Sequence, residues 1–120
     1  MDLTTIATLS HSMNHPTKYL QMCQHPEIQA LKPNTETNQD LWLPTTEQLH
    51  KLLNQKLPYP ERTSFHHTEN GWEYETYFRE WADDYGTYID THRQFVGTEK
   101  EVVLMQVLMA LLGIDGRWMV

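Results

Sequence analysis

The spacing of apolar positions changes along the chain, and each change predicts an element. From Val102 to Leu112 only Gln106 is polar. A helix that is apolar nearly all round belongs inside a fold. Thr98 and Glu101 have the spacing of a capping box. Gly113 suits the left-handed residue that closes a helix. The pattern predicts a helix from Glu99 to Leu112, roughly 21 Å long at 1.5 Å per residue, on which the rest of the chain is expected to pack.

Leu49, Leu52, Leu53 and Leu57 follow the i, i+3, i+4, i+8 spacing of one helix face. Thr45 and Gln48 supply a capping box ahead of them. This predicts an amphipathic helix from Thr46 to about Gln55, stopped by Leu57-Pro58-Tyr59-Pro60. Upstream, Tyr19, Leu20, Met22, Cys23, Ile28 and Leu31 form a stripe on a helix that opens at Pro16. Pro26 kinks or restarts it, because proline removes a backbone donor. Leu3, Ile6, Ala7, Leu9 and Met13 carry a looser helical spacing and predict a further short helix. Residues 32–40 read as a loop, and Leu41-Trp42-Leu43 as an extended entry.

In the middle of the chain the period falls to two. Asn70-Gly71 is the strongest short hairpin signal, because both residues tolerate positive φ in a type I′ turn. Pairing outwards from it sets Thr68 opposite Glu73 and His66 opposite Glu75. One face then holds Phe65, His67, Trp72, Tyr74, Thr76 and Phe78, with His67 half-buried beside Tyr74, and should lie on the last helix. The other holds Ser64, His66, Thr68, Glu73, Glu75, Tyr77 and Arg79 and should see water. A turn at Ala82 to Gly86 and a third strand from Thr87 to about His92 follow. The alternative is a helix, since Tyr77, Trp81, Tyr85, Tyr88 and His92 also fall at helical spacing. Asp115-Gly116 reads as a turn, and Trp118 to Val120 as a short extended end. The sum is one α+β domain over residues 1–120: N-terminal helices, a central antiparallel hairpin or meander, and a buried C-terminal helix packed on the sheet.

Three segments in order carry a resemblance. They are Tyr19-Leu20-Gln21-Met22-Cys23 with Glu27-Ile28-Gln29-Ala30-Leu31-Lys32-Pro33, then Trp42-Leu43-Pro44 with Gln48-Leu49, then Asp115-Gly116-Arg117-Trp118 after the last helix. Together they resemble a group of small uncharacterised proteins encoded by bacteriophages and prophages, over about Tyr19 to Trp118. The resemblance implies a viral or prophage origin and no activity. Group members carry a longer segment where this chain has only Pro33 to Leu41.

Composition narrows the function classes. The 120 residues carry a formal net charge of −7. Non-specific nucleic-acid affinity comes from lysine and arginine neutralising phosphates, so the balance argues against direct nucleic-acid binding. The single cysteine, Cys23, excludes an intramolecular disulfide and fits a reducing, cytoplasmic setting, the host cytoplasm if the protein is viral. The first fifteen residues lack the charge and apolar core of a secretory signal. The apolar run is shorter than the roughly 20 residues that span a bilayer, so no membrane partner is expected.

Candidate chemistry is sparse. The stretch from Glu69 to Asp90 sets seven acids against Arg79 alone and holds seven of the chain's thirteen aromatics. Its bland reading is a solvated acidic face over an aromatic core. Its sharper reading is a docking surface for another protein, a basic host factor, with Glu73, Glu75, Tyr77, Trp81, Asp83, Asp84 and Tyr85 as the contact residues. Aromatic anchors concentrate at interface hot spots, and carboxylates steer a basic partner. Such a surface could occupy a nucleic-acid-binding protein by presenting carboxylates in place of phosphates. The alternative is a small metal-dependent hydrolase or nuclease using Glu73/Glu75, Asp83-Asp84 or the histidines. His11 and His15 stand at i, i+4, and Cys23 and His25 form another pair, but a structural zinc site needs four convergent ligands. No catalytic residue, metal or cofactor is assigned. An exposed strand edge leaves a homodimer open.

Overall fold

The computed structural model describes residues 16–34 and 40–114. Helix α1 (Thr17–Cys23) and the single turn α2 (Pro26–Gln29) meet at Pro26, which restarts the helix as expected. Helix α3 (Thr46–Lys56) opens on a complete capping box. The Gln48 amide donates to Thr45 Oγ1 at 3.1 Å, and the Thr45 amide donates to Gln48 Oε1 at 2.9 Å. A 3₁₀ turn (Pro60–Arg62) leads to β1 (Ser64–Thr68), β2 (Gly71–Ala82), β3 (Thr87–Gly97) and helix α4 (Lys100–Leu111). The expected elements at Leu3–Met13 and beyond Asp115, and His11 and His15, lie outside the described residues.

The strands form one antiparallel sheet in the order β1-β2-β3. Residues 80–95 are therefore strand, turn and strand, and not the alternative helix. The third strand runs to Gly97, past the expected end at His92. Helix α4 packs on the inner face of this sheet and against α1 and α3. Val102 to Met105 and Val107 to Met109 are all buried, joined by Tyr19, Met22, Ile28, Leu49, Leu53, Tyr74 and Phe78. The fold class is α+β, with the last helix as its core.

Two sequence expectations need correction. The capping box at Thr98 does not form. Glu99 takes the N-cap position without a side-chain hydrogen bond, and the helix starts at Lys100. Apolar burial of α4 holds that end without a local cap. The C-terminus does close as expected. Gly113 has φ +73°, its amide donates to Ala110 at 3.1 Å, and the Ile114 amide donates to Met109 at 3.0 Å. Those two bonds satisfy carbonyls that the helix leaves open.

The second correction concerns the hairpin. Thr68 pairs with Gly71, and His66 with Glu73, so the turn is Glu69-Asn70 and not Asn70-Gly71. No non-glycine residue among those described has positive φ, which rules out a type I′ turn there. Thr68 Oγ1 instead accepts from the Asn70 amide and donates to the Gly71 carbonyl, each at 3.2 Å. Gly71, at φ +120°, is required for another reason. A Cβ on it would lie 2.4 Å from the carbonyl oxygen of Gly97. The shift moves each partner by two positions, so the parity of every side chain survives. Tyr74, Thr76 and Phe78 are buried on the inner face as expected. His67, expected beside Tyr74, is exposed and lies edge-on to Trp72 at 4.9 Å.

Candidate functional site

The unequal lengths of the strands create the surface that matters. Strand β1 pairs with β2 only as far as Ser64 opposite Glu75. The buried inner face of β2 ends at Phe78. Beyond it, β2 and β3 continue as a two-stranded arm, from Arg79 opposite Asp90 to Ala82 opposite Thr87. The last buried residue lies about 14 Å from the strand end, at 3.4 Å per residue. A hairpin without a third strand is marginal in water, so the arm depends on its own cross-strand pairs.

Those pairs are visible on both faces. Trp81 and Tyr88 are opposite each other and meet edge to face, ring centroids 5.2 Å apart. The Arg79 guanidinium sits 5.5 Å from the Tyr88 ring centre. On the inner face Arg93 Nη1 donates to Glu80 Oε1 at 2.7 Å, and its guanidinium lies 4.9 Å from the Phe78 ring centre. At the tip Trp81 Nε1 donates to Asp83 Oδ1 at 2.7 Å. The Ala82 carbonyl accepts from the amides of Tyr85 and Gly86, and Gly86 takes φ +62°.

The seven candidate residues fall into two groups. Glu73, Glu75 and Tyr77 are half-buried on the outer face of the sheet. His66 Nε2 lies 3.3 Å from Glu73 Oε2, so the expected partner Glu75 is replaced through the corrected register. Glu75 instead faces His92 at 3.9 Å and accepts from Gln94 Nε2 at 3.4 Å. Tyr77 lies between Arg62, 4.1 Å from its ring centre, and the edge of His92. Trp81, Asp83, Asp84 and Tyr85 form the second group, all exposed at the tip. Trp81 retains 55% and Tyr85 75% of its accessible surface. Tyr77 and Trp81 share the outer face about 14 Å apart along the strand, so the two groups differ in exposure and in partners, not in the face they occupy.

The fold brings two positive charges, Arg62 and Arg93, to the acidic stretch from outside it, and sets His66 and His92 against Glu73 and Glu75. What stays acidic is the tip, with Asp83 and Asp84 beside the exposed rings. Sequence reasoning counted Tyr88 among the aromatics of this stretch but not as the brace of Trp81, and missed Arg93 as the partner of Glu80. The signal was Gly86: counting outwards from a four-residue turn ending there sets Trp81 opposite Tyr88.

Elsewhere, burial is the largest cause of each shifted titratable group. Burial pushes the Tyr74 phenol up to about 12. Burial also pushes the Cys23 thiol up to about 12, against a smaller lowering from its hydrogen bond with Tyr19. A thiol held protonated in an apolar site is a poor nucleophile. The His25 ring is engaged at the start of α2, where Nδ1 accepts from the Glu27 amide at 3.1 Å. Among the described residues no three or more His, Cys, Asp and Glu side chains come together as a metal site. No helix among them is long and apolar enough to cross a membrane.

Two segments singled out in the sequence, residues 19–33 and 42–49, hold one another. Tyr19 donates its hydroxyl hydrogen to the Pro44 carbonyl. Gln29 Nε2 donates to the carbonyls of Cys23 and Trp42 at 2.6 and 2.9 Å, and the Trp42 amide donates to Gln29 Oε1 at 2.9 Å. Their described contacts are those of a scaffold. The chain matches no family model, and no curated protein or solved structure gives a significant match.

Proposed function

We propose that this protein is a non-enzymatic docking module, an accessory protein of the phage type, whose contact surface is the tip of the β2–β3 arm. The observation that carries this reading is the exposure of Trp81 and Tyr85 at the end of a braced projection, beside Asp83 and Asp84. Large rings held out in water cost the protein solubility without adding to its core, and clustered exposed apolar surface marks interaction sites. Trp81 is pre-organised by Tyr88 and Asp83, so little side-chain freedom is lost on contact. The flanking carboxylates suit a basic partner, including a nucleic-acid-binding protein whose phosphate-contacting residues they would face.

The test is capture from host lysate with the wild-type chain, Trp81→Ala, and Asp83→Asn/Asp84→Asn as baits. The reading expects one set of basic proteins on wild type, lost from the Trp81→Ala bait. Binding through the tip acids should also weaken steeply with salt. Equal capture by all three baits would place the interface elsewhere.

A further inference from the structure

The other uncovered feature is the free edge of β3, which no strand among the described residues pairs. It is eleven residues long. It has no proline, and native edges are commonly blunted by proline, lysine or short length. Three of its side chains are large, apolar and exposed: Tyr88 at 56%, Ile89 at 39% and Val96 at 47%. By contrast the β1 edge is five residues long and carries no exposed large apolar side chain.

We propose that the occupant of this edge is β3 of a second copy, paired antiparallel to give a continuous six-stranded sheet. The strand's own sequence supplies the argument. A two-fold axis normal to the sheet makes the same residue its own opposite number at the centre. With His92 at the centre, Tyr88 faces Val96 of the second copy on the outer face. Ile89 faces Phe95 of the second copy on the inner face. Each exposed apolar side chain thus meets an apolar partner, and each contact occurs twice. Asp90 falls opposite Gln94 of the second copy and Thr91 opposite Arg93, both pairs able to hydrogen-bond. Centring on Thr91 instead would set Tyr88 against Gln94 and Ile89 against Arg93, leaving the apolar groups without apolar partners. Cross-strand pairs of aromatic and β-branched residues are the favourable unit of sheet association. The proposal does not rest on the docking reading, which uses the arm tip and not the strand edge.

The experiment is sedimentation velocity on the full chain, from about 1 to 200 µM because a strand-pair interface is at the small end of protein contacts, followed by cross-linking. A concentration-dependent dimer is expected, weakened about tenfold or more by Val96→Lys, a surface change. Oxidising a mixture of Tyr88→Cys and Val96→Cys proteins should give a disulfide dimer, while each alone should not, since Cys23 is buried. A wild type that stays monomeric to the top concentration would overturn the proposal. So would a dimer insensitive to Val96→Lys, or cross-linking of either cysteine variant with itself. Loss of partner capture with the dimer intact would sink the docking reading alone.

Discussion

Gly71→Ala gives the sharpest test of the hairpin register. Two costs meet at this residue. Its φ of +120° is one that a side chain rarely adopts, and holding a residue in a sparsely populated region costs about 1–3 kcal/mol. The added Cβ would also lie 2.4 Å from Gly97 O, 3.0 Å from Gly97 C and 3.2 Å from Thr98 Cα. All three are backbone atoms, so relief requires β2 and β3 to part where Trp72 faces Gly97. Forcing atoms into a packed site costs about 1–3 kcal/mol. The expected loss is therefore about 2–6 kcal/mol, a large share of the 5–15 kcal/mol that typically holds a domain together. Gly86→Ala is the control, because Gly86 has φ +62° and nothing within 4 Å of an added Cβ. It should lose only the dihedral term, about 1–2 kcal/mol. Urea unfolding followed by tryptophan fluorescence reads both. With a slope of about 1–3 kcal/mol per molar, the Gly71→Ala midpoint should fall clearly further. A third variant, Asn70→Ala, would cost about 1–2 kcal/mol if residue 70 held the left-handed conformation of a type I′ turn, but should be close to neutral here, since Asn70 does not have positive φ. Equal losses at Gly71 and Gly86, or a loss of about 1–2 kcal/mol in Asn70→Ala, would refute the register.

Leu108→Ala should cost about 2–5 kcal/mol by calorimetry or urea, the range for emptying a buried leucine site, because Leu108 is fully buried in α4. Gln29→Leu should cost about 1–3 kcal/mol by leaving the partly buried backbone groups of Trp42 and Cys23 without their partner, and amide exchange at Trp42 should accelerate. Stability should fall from about pH 8 towards pH 12. There the unfolded chain releases protons from Cys23 and Tyr74 that the native state retains, so the unfolded state binds fewer protons and the free energy of unfolding decreases with pH. The slope should begin near pH 8, where an unfolded cysteine starts to ionise, and below about pH 7 these two groups should contribute none. Native Cys23 should accordingly resist a thiol reagent until denaturant is added.

What was legible in the sequence was whatever burial or a local hydrogen bond dictates. The leucines of α3 with Thr45 and Gln48, the apolar run of α4 with Gly113, and the alternation of β2 each name their own element. The faces of the hairpin were legible even though its register was not. A glycine after asparagine looks like a turn residue, yet Gly71 is glycine because the backbone of Gly97 passes beside it, a contact 26 positions away in the chain. The cap at Thr98 failed for a similar reason: the same residue letters serve a helix start only if the backbone reaches them in time. The candidate surface was half legible. Its rings and acids could be listed, but their division into an engaged sheet face and an exposed tip depends on where β1 and α4 stop. That is a property of neighbouring elements, which the stretch from Glu69 to Asp90 does not encode. The arginines that temper its charge arrive from the 3₁₀ turn and β3 for the same reason.

The point where the sheet leaves its helix also makes the projection adjustable. Because Phe78 and Thr91 are already opposite each other, residues can be removed beyond them in matched sets without disturbing the packed body. Deleting or adding two per strand would move the loop by about 7 Å at the usual rise and leave every ring facing the way it did. A single residue per strand would roll the end over and present the opposite side chains. Reach and facing are thus set by separate arithmetic, which lets this scaffold be fitted to partners of different depth by even-numbered edits alone.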